Sequence, residues 1–308
     1  MRIFRDHRAI PTDARGASAA IGNFDGVHLG HRHVLDRARR DGTPLAVVTF
    51  EPHPREVFAP DAAPFRLMSP AARASRLPKL GVDTLFELPF PEIAPLSAEA
   101  FMSDVLMDGL GLTHVVTGAD FRFGRGRAGT ADTLRDGGAR LGFDVTTVEL
   151  LGGEVPVSST AIRTALTEGR PRDAAEMLGH WHRIEGPVLH GEKRGRTLGY
   201  PTANMALDGL HLPRLGVYAV LVDILDGPHA GSHHGVASLG VRPMFGDNVP
   251  NLETFLFDFT GDLYGAQLSV ALVDFLRPEA TFDGLDPLVA QMDADSARAR
   301  DLLAALDA

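Results

Sequence analysis

The chain shows two apolar patterns, and the change between them happens once. In the first half, apolar runs at 17–21, 44–50, 81–88, 113–118 and 143–150 stand between segments of helical character. The run 44–50 reads PLAVVTF, a β-rich run. Residues 31–40 read as a helix, and 97–107 carries Phe101, Val105 and Leu106 at helical spacing. Short strands alternating with helices predict a parallel sheet with helices on both faces. The second half drops the helices. Runs at 183–190, 217–225, 234–241, 252–259 and 268–276 follow one another through Gly, Pro and Asp, which predicts an antiparallel barrel or sandwich. Beyond Asp286 and Pro287, Leu288, Met292, Ala299, Leu302, Leu303 and Leu306 recur at helical spacing. Asp then Pro reads as N-cap and N1 of a terminal amphipathic helix. The switch near 179–183 divides the chain into an expected domain 1–180 and an expected domain 181–308.

Composition narrows the class. The 308 residues carry a formal charge of −10, which argues against a nucleic-acid or anionic-membrane partner. There is no cysteine. That removes disulfides, thiolate zinc sites and cysteine nucleophiles together, and fits a reducing compartment. No apolar run reaches the roughly 18 residues of a spanning helix. The start, MRIFRDHRAIP, scatters charge where a secretory signal would be apolar. A cytoplasmic protein is expected.

Candidate chemistry sits where predicted strands end. The segment 21–31, IGNFDGVHLGH, follows a strand and opens a helix. Its glycines Gly22, Gly26 and Gly30 allow close backbone approach to a ligand, and a helix N-terminus favours phosphate. His28 and His31 are three apart, so on a helix they share a face. Two imidazoles there suit charge developing on departing pyrophosphate; the bland alternative is a pair of capping or surface histidines. GADFRFGRGRAG (118–129) sets Arg122, Arg125 and Arg127 among glycines, and VSSTAIR (157–163) sets Ser158, Ser159 and Thr160 ahead of Arg163. Hydroxyls at a helix start cap it or, with Arg163, bind phosphate.

The second half has its own set. HGEKRGRTLGYPTAN (190–204) packs Lys193, Arg194 and Arg196 with glycines, a local anion-binding pattern in an acidic chain. Thr202 and Asn204 point the same way in an extended segment and offer hard oxygens to a phosphate-bound Mg²⁺; an ordinary proline turn is the alternative. In LETFLFDF (252–259), period-two alternation puts Glu253 with Phe255, Phe257 and Phe259 on the face expected to be buried. A carboxylate there should have its pKa raised by desolvation, as a general base requires. His229, His233 and His234 fall in an expected hairpin loop, where a solvated turn competes with a metal site.

IGNFDGVHLGH, TFEPHP (49–54), GADFRFG (118–124) and SSTAIR (158–163) resemble, in this order, the adenylyltransferase module of prokaryotic bifunctional riboflavin kinase/FAD synthetases. LGYPTAN (198–204), GVYAV (216–220), LGVRPMFG (239–246), LETFLFDFTGDLYG (252–265) and FLRPEATFDGLDPL (275–288) resemble its kinase module. The resemblance implies an N-terminal Rossmann-like nucleotidyltransferase domain and a C-terminal six-stranded Greek-key barrel with a terminal helix. It implies ATP and Mg²⁺, phosphorylation of riboflavin to FMN, and adenylylation of FMN to FAD. His28 and His31 would hold the ATP phosphates. Gly22, Asn23, Asp25, Ser159, Thr160 and Arg163 would line that site, with His53, Asp120, Phe121 and Phe123 toward the flavin. In the kinase, Glu253 matches the base, Thr202 and Asn204 the Mg²⁺–ATP ligands with Lys193 on the ATP side, and Phe275, Arg277 and Phe282 the flavin side. Three positions depart from the family pattern: Val241 and Met244 stand where it has Thr, and Tyr200 where it has Phe. A weak homo-oligomer completes the expectation. The competing readings are an adenylyltransferase with a degenerate barrel and a flavin-binding protein without chemistry.

Overall fold

A computed structural model describes residues 1–149, 157–191, 195, 198–244 and 247–306. Contacts group them into two units, Met1–Ala63 with Pro70–Ser158, and Pro64–Ser69 with Ser159–Ala308.

The first unit holds six strands: β1 (Arg2–Phe4), β2 (Ser18–Ile21), β3 (Leu45–Glu51), β4 (Thr84–Pro89), β5 (His114–Gly118) and β6 (Asp144–Val148). They form one parallel sheet in the order β1-β4-β3-β2-β5-β6. The edge strand β1 was not expected, because RIF is short and flanked by charge. The stretch predicted as a helix over 97–107 is a helix, Ala98–Ala100, running on into a π-helical stretch, Phe101–Gly109. Phe101, Val105 and Leu106 from it pack with Ala19, Val48 and Val115 of the sheet. Three helices matter for the site: α1 (Leu29–Ala38), α2 (Pro54–Phe58) and α3 (Pro70–Arg76). The strand order reverses at β2, with β3 on one side and β5 on the other. At such a reversal the loops leaving neighbouring strands diverge and open a crevice at their C-terminal ends.

The second unit holds β7 (His182–Pro187), β8 (Ala203–Ala206), β9 (Gly216–Ile224), β10 (Gly231–Met244), β11 (Asp247–Leu256) and β12 (Gln267–Arg277). These pair antiparallel in the order β7-β12-β9-β10-β11-β8. A bridge between Leu189, just past β7, and Asn204 of β8 nearly closes the barrel, which leaves little free edge. Met205, Val220, Leu239, Leu252 and Val270 fill the interior. Strand β8 escaped the apolar pattern because it is short and follows a proline turn.

Three local expectations are corrected. The terminal helix spans Leu285–Ala304 and is capped by Gly284, not by Asp286. Pro287 then sits in the first turn, where its missing N–H is one of the orphan donors. His233 and His234 lie within β10 rather than in a loop, because the apolar alternation fades before the strand does. His229 and His233 pack edge-on against Phe259, and the described residues contain no metal-like cluster of His, Cys, Asp or Glu. Within β11, Leu252 and Leu256 face the barrel interior. Glu253 and Phe255 therefore lie on the outer face, and Phe255 and Phe257 pack against Ala299 and Leu303 of the terminal helix. Phe259 leaves the alternation, because Asp258 has φ 56° and the strand has already ended at Leu256. No helix among the described residues is long and apolar enough to cross a membrane.

Candidate active sites

In the first unit the loop leaving β2 carries the chemistry. Phe24 (φ 51°) and Val27 (φ 43°) are both left-handed and buried, a backbone cost of about 1–3 kcal/mol each that the surroundings must enforce. The Asn23 carbonyl, just ahead of Phe24, accepts from the Thr49 hydroxyl at 3.2 Å and from Arg73 at 3.4 Å. Arg73, on α3, is itself held by Glu51 at 2.6 Å and by Glu87 at 2.8 Å. Its side chain is 3% exposed and that of Glu87 7%. Asn23 is exposed and Asp25 buried.

His28 is the N-cap of α1, its Nδ1 accepting the His31 backbone N–H at 3.3 Å. The two rings also stack, with centroids 3.7 Å apart and planes 19° off parallel. Phe24 lies 4.9 Å from the His31 ring. A Cβ on Gly30 would come within 3.0 Å of the His28 ring, so glycine makes the space in which that ring lies. His31 Nδ1 is buried and has no hydrogen-bond partner among the described residues. Burial, then the neighbouring His28 and Arg73, hold the His31 pKa well below 6.5. A neutral ring offers one N–H donor.

The other expected residues fall as follows. His53 caps α2 with a complete capping box, accepting from Arg55 N–H at 3.1 Å while Glu56 accepts from its own N–H at 3.1 Å. Phe123 is buried against Phe101, centroids 5.4 Å apart, and Phe121 stacks on it at 5.7 Å beside the exposed Asp120. Ser159 and Thr160 open the helix Ser159–Thr167 in the second unit. Arg163 there donates from Nε to the Phe65 carbonyl at 2.8 Å, 5.6 Å over the Phe65 ring.

In the second unit, β8 and β11 place Asn204 directly opposite Glu253. Asn251 joins them. Its Nδ2 donates to Asn204 Oδ1 at 3.0 Å and to Glu253 Oε1 at 3.4 Å. Asn204 and Asn251 are buried, while Glu253 and Thr202 are half-buried. Tyr200 packs on Phe255 at 4.9 Å, and its hydroxyl reaches Asp293 of the terminal helix. Arg277 lies 5.7 Å over Phe282 and pairs with Asp295 at 2.8 Å. Phe275 does not join them. It packs on Tyr218 at 5.2 Å and under Arg214 instead. Val241 lies opposite Pro250; Lys193 and the Met244 side chain lie outside the described residues. Sequence reasoning missed Arg73 and Asn251. Asn251 had a signal, two residues ahead of Glu253 in the alternation; Arg73 had none in its arginine-rich helix.

A parallel sheet with a histidine pair at its reversal point is joined in one chain to an antiparallel barrel, a two-module architecture. A family model for FAD synthetase matches residues 10–161 and one for riboflavin kinase matches 178–303. A bifunctional riboflavin kinase/FMN adenylyltransferase of Pseudomonas fluorescens is 44% identical over 99% of this chain and 98% of its own. The Escherichia coli K12 protein of the same name is 39% identical over 98% of this chain and 97% of its own. A crystal structure titled as a macrolide-efflux protein from Streptococcus pneumoniae superposes with a TM-score of 0.81 at 32% identity, covering 95% of this chain and 96% of that one. The chain belongs to the bifunctional riboflavin kinase/FMN adenylyltransferase family.

Proposed function

We propose that this chain makes FMN from riboflavin and then FAD from FMN, each step using ATP. The observation that carries the reading is that two separate arrangements, the His28–His31 stack and the Asn204–Glu253 pair, offer groups suited to phosphate chemistry. A flavin store would require neither, and a degenerate barrel would not preserve the second. In the adenylyltransferase, an FMN phosphate oxygen attacks the α-phosphorus of ATP and the bond to pyrophosphate breaks. His28 and His31 donate to the phosphates as that charge builds. Gly22, Asn23 and Asp25 would line the nucleotide side, and Ser159, Thr160 and Arg163 are the further nucleotide-binding candidates. His53, Asp120, Phe121 and Phe123 lie toward the flavin.

In the kinase, the riboflavin 5′-hydroxyl attacks the γ-phosphorus, ADP leaves, and Glu253 takes the hydroxyl proton. The donor set there fits a magnesium ion already chelated by phosphate, since Thr202 and Asn204 would contribute neutral hard oxygens. Thr202, Asn204 and Lys193 would hold the nucleotide and this Mg²⁺, which supplies charge neutralisation when bound. Arg277 and Phe282 would contact the flavin, with Phe275 beneath. The working boundary of the two domains is taken at 180/181, close to residue 178 where the riboflavin kinase match begins. The enzyme is taken as cytoplasmic, acting on small molecules rather than nucleic acid or membranes, with at most weak self-association.

Incubation with riboflavin, ATP and Mg²⁺, followed by flavin chromatography, tests the reading. FMN should appear first and FAD follow. FAD from supplied FMN without any FMN from riboflavin would leave the degenerate-barrel reading; no conversion at all would leave the storage reading.

A further inference from the structure

We infer that Asn251 is a positioning residue of the kinase site: its side-chain amide fixes Asn204 Oδ1 and Glu253 together, so that the nucleotide side and the proton-accepting side are set by one group. The inference rests on the kinase assignment above. It starts from hydrogen-bonding capacity. A carboxylate only accepts, so the Asn251 atom facing Glu253 must be the amide nitrogen. The same nitrogen has a second hydrogen, and it points to Asn204 Oδ1 at 3.0 Å. That choice orients Asn204 in turn, leaving its own Nδ2 toward the Thr202 carbonyl at 3.4 Å. A carbonyl oxygen has two lone pairs. One accepts from Asn251 and the other is left for a cation or a phosphate-bound ligand.

The register explains why this residue can do it. Asn251 pairs across the ladder with Ala206, while Glu253 pairs with Asn204. Asn251 is thus the diagonal neighbour of Asn204 and the same-face neighbour of Glu253, both within reach of a short side chain. Asn204 is gripped from the other side as well. A Cβ built on Gly191 would lie 2.6 Å from Asn204 Nδ2 and 3.0 Å from Oδ1, and Leu189 N–H donates to the Asn204 carbonyl at 2.8 Å. Asn204 therefore lies between the Gly191 backbone and the Asn251 amide, with its backbone tied to Leu189. Partners that orient a ligating group commonly matter by about 10- to 100-fold in affinity or activity.

The test uses the full-length enzyme and three variants. Asn251→Leu keeps the volume and removes the donor; Asn251→Asp keeps the shape and also removes it; Gly191→Ala pushes Asn204 from the opposite side. FMN formation should fall at least tenfold in each, while FAD formation from supplied FMN stays near wild type. Calorimetric titration with ADP gives the second readout. The gain in ADP affinity on adding Mg²⁺ should shrink in all three, and Asn251→Leu combined with Gly191→Ala should lose little more than either alone, since both act on Asn204. FMN formation within threefold of wild type in Asn251→Leu, or a purely additive double variant, overturns the inference. If Asn251→Leu fails to fold, Asn251→Asp and Gly191→Ala decide on the same criteria. Glu253→Gln separates this from failure of the kinase assignment: if it retains FMN formation, the site assignment falls, whatever the Asn251 variants do.

Discussion

The imidazole rings of His28 and His31 lie face to face, 3.7 Å between centroids, while the first also caps the helix that carries the second. On the proposed reading, capping and ligand binding are thus combined in one residue rather than alternatives to each other. The two alanine variants should therefore differ. Loss of either donor should lower FAD formation by about 10² to 10³, with ATP affinity falling less than the rate and FMN formation unchanged. Only His28→Ala also removes the cap, which should cost about 1 kcal/mol of stability. Steady-state kinetics and thermal melts of both variants check this; equal melting with unaltered FAD synthesis would refute it.

Arg73 makes a second prediction. Its guanidinium bridges Glu51 and Glu87 and reaches the Asn23 carbonyl. Arg73→Met should destabilise the first unit by about 3–5 kcal/mol, because it removes the buried partner of Glu87 and leaves that buried carboxylate only the exposed Arg5. The triple variant Arg73→Met, Glu51→Gln, Glu87→Met should regain most of that. FAD formation should stay impaired in the triple variant, since the Asn23 carbonyl ahead of strained Phe24 has lost its Arg73 donor and keeps the Thr49 hydroxyl. Recovery of both stability and rate would show that the network serves stability alone.

The sequence could be read this far for reasons that lie in side-chain chemistry. The sheet strands announced themselves because β2 and β3 are buried on both faces, and the histidine pair because its spacing matched a helix start. Two things could not be seen. Arg73 acts through tertiary partners that are 22 and 14 residues away along the chain, and no local pattern marks it. The face of β11 was misread because alternation gives two faces without saying which is inside. The aromatic face suggested the core, yet the interior went to Leu252 and Leu256, and the terminal helix covers the aromatics.

Buried neutral histidines set a pH dependence. His114 is boxed between Ser18 Oγ at 2.7 Å and Thr146 Oγ1 at 2.9 Å. Ser18 gives its own hydrogen to the Ala38 carbonyl, so His114 donates from Nδ1 and accepts at Nε2. Burial lowers its pKa to about 4, and that of His182 to about 3. Unfolded, both titrate near 6.5. Below that pH the unfolded chain binds protons that the folded chain refuses, so stability falls as pH drops from about 6.5 toward 4 and is unaffected by these groups above 7. At pH 5 each should cost about 2 kcal/mol. Melts at pH 7.5 and 5.0 should show the drop, and His182→Gln should make it smaller; an equal drop in that variant would exclude His182 as a cause.

Gly30 supplies the last prediction, in which stability and activity move apart. It is the second residue of α1, and its backbone has no positive φ that would resist a side chain. A helical Gly→Ala change is worth up to about 1 kcal/mol in favour of the helix. The new Cβ, however, would meet His28 Cε1 at 3.0 Å and Nδ1 at 3.1 Å, with the Val157 carbonyl at 3.5 Å beyond. The ring must give by a few tenths of an ångström, and it is the ring that both stacks on His31 and accepts its N–H. Catalytic groups displaced by so little still lose rate, because preorganised donors act only when aimed at the developing charge. Gly30→Ala should melt at or above the wild-type temperature, form FMN normally, and form FAD about tenfold more slowly. A variant that melts lower and keeps its FAD rate would mean that the glycine is there for folding, and that the His28 ring tolerates displacement.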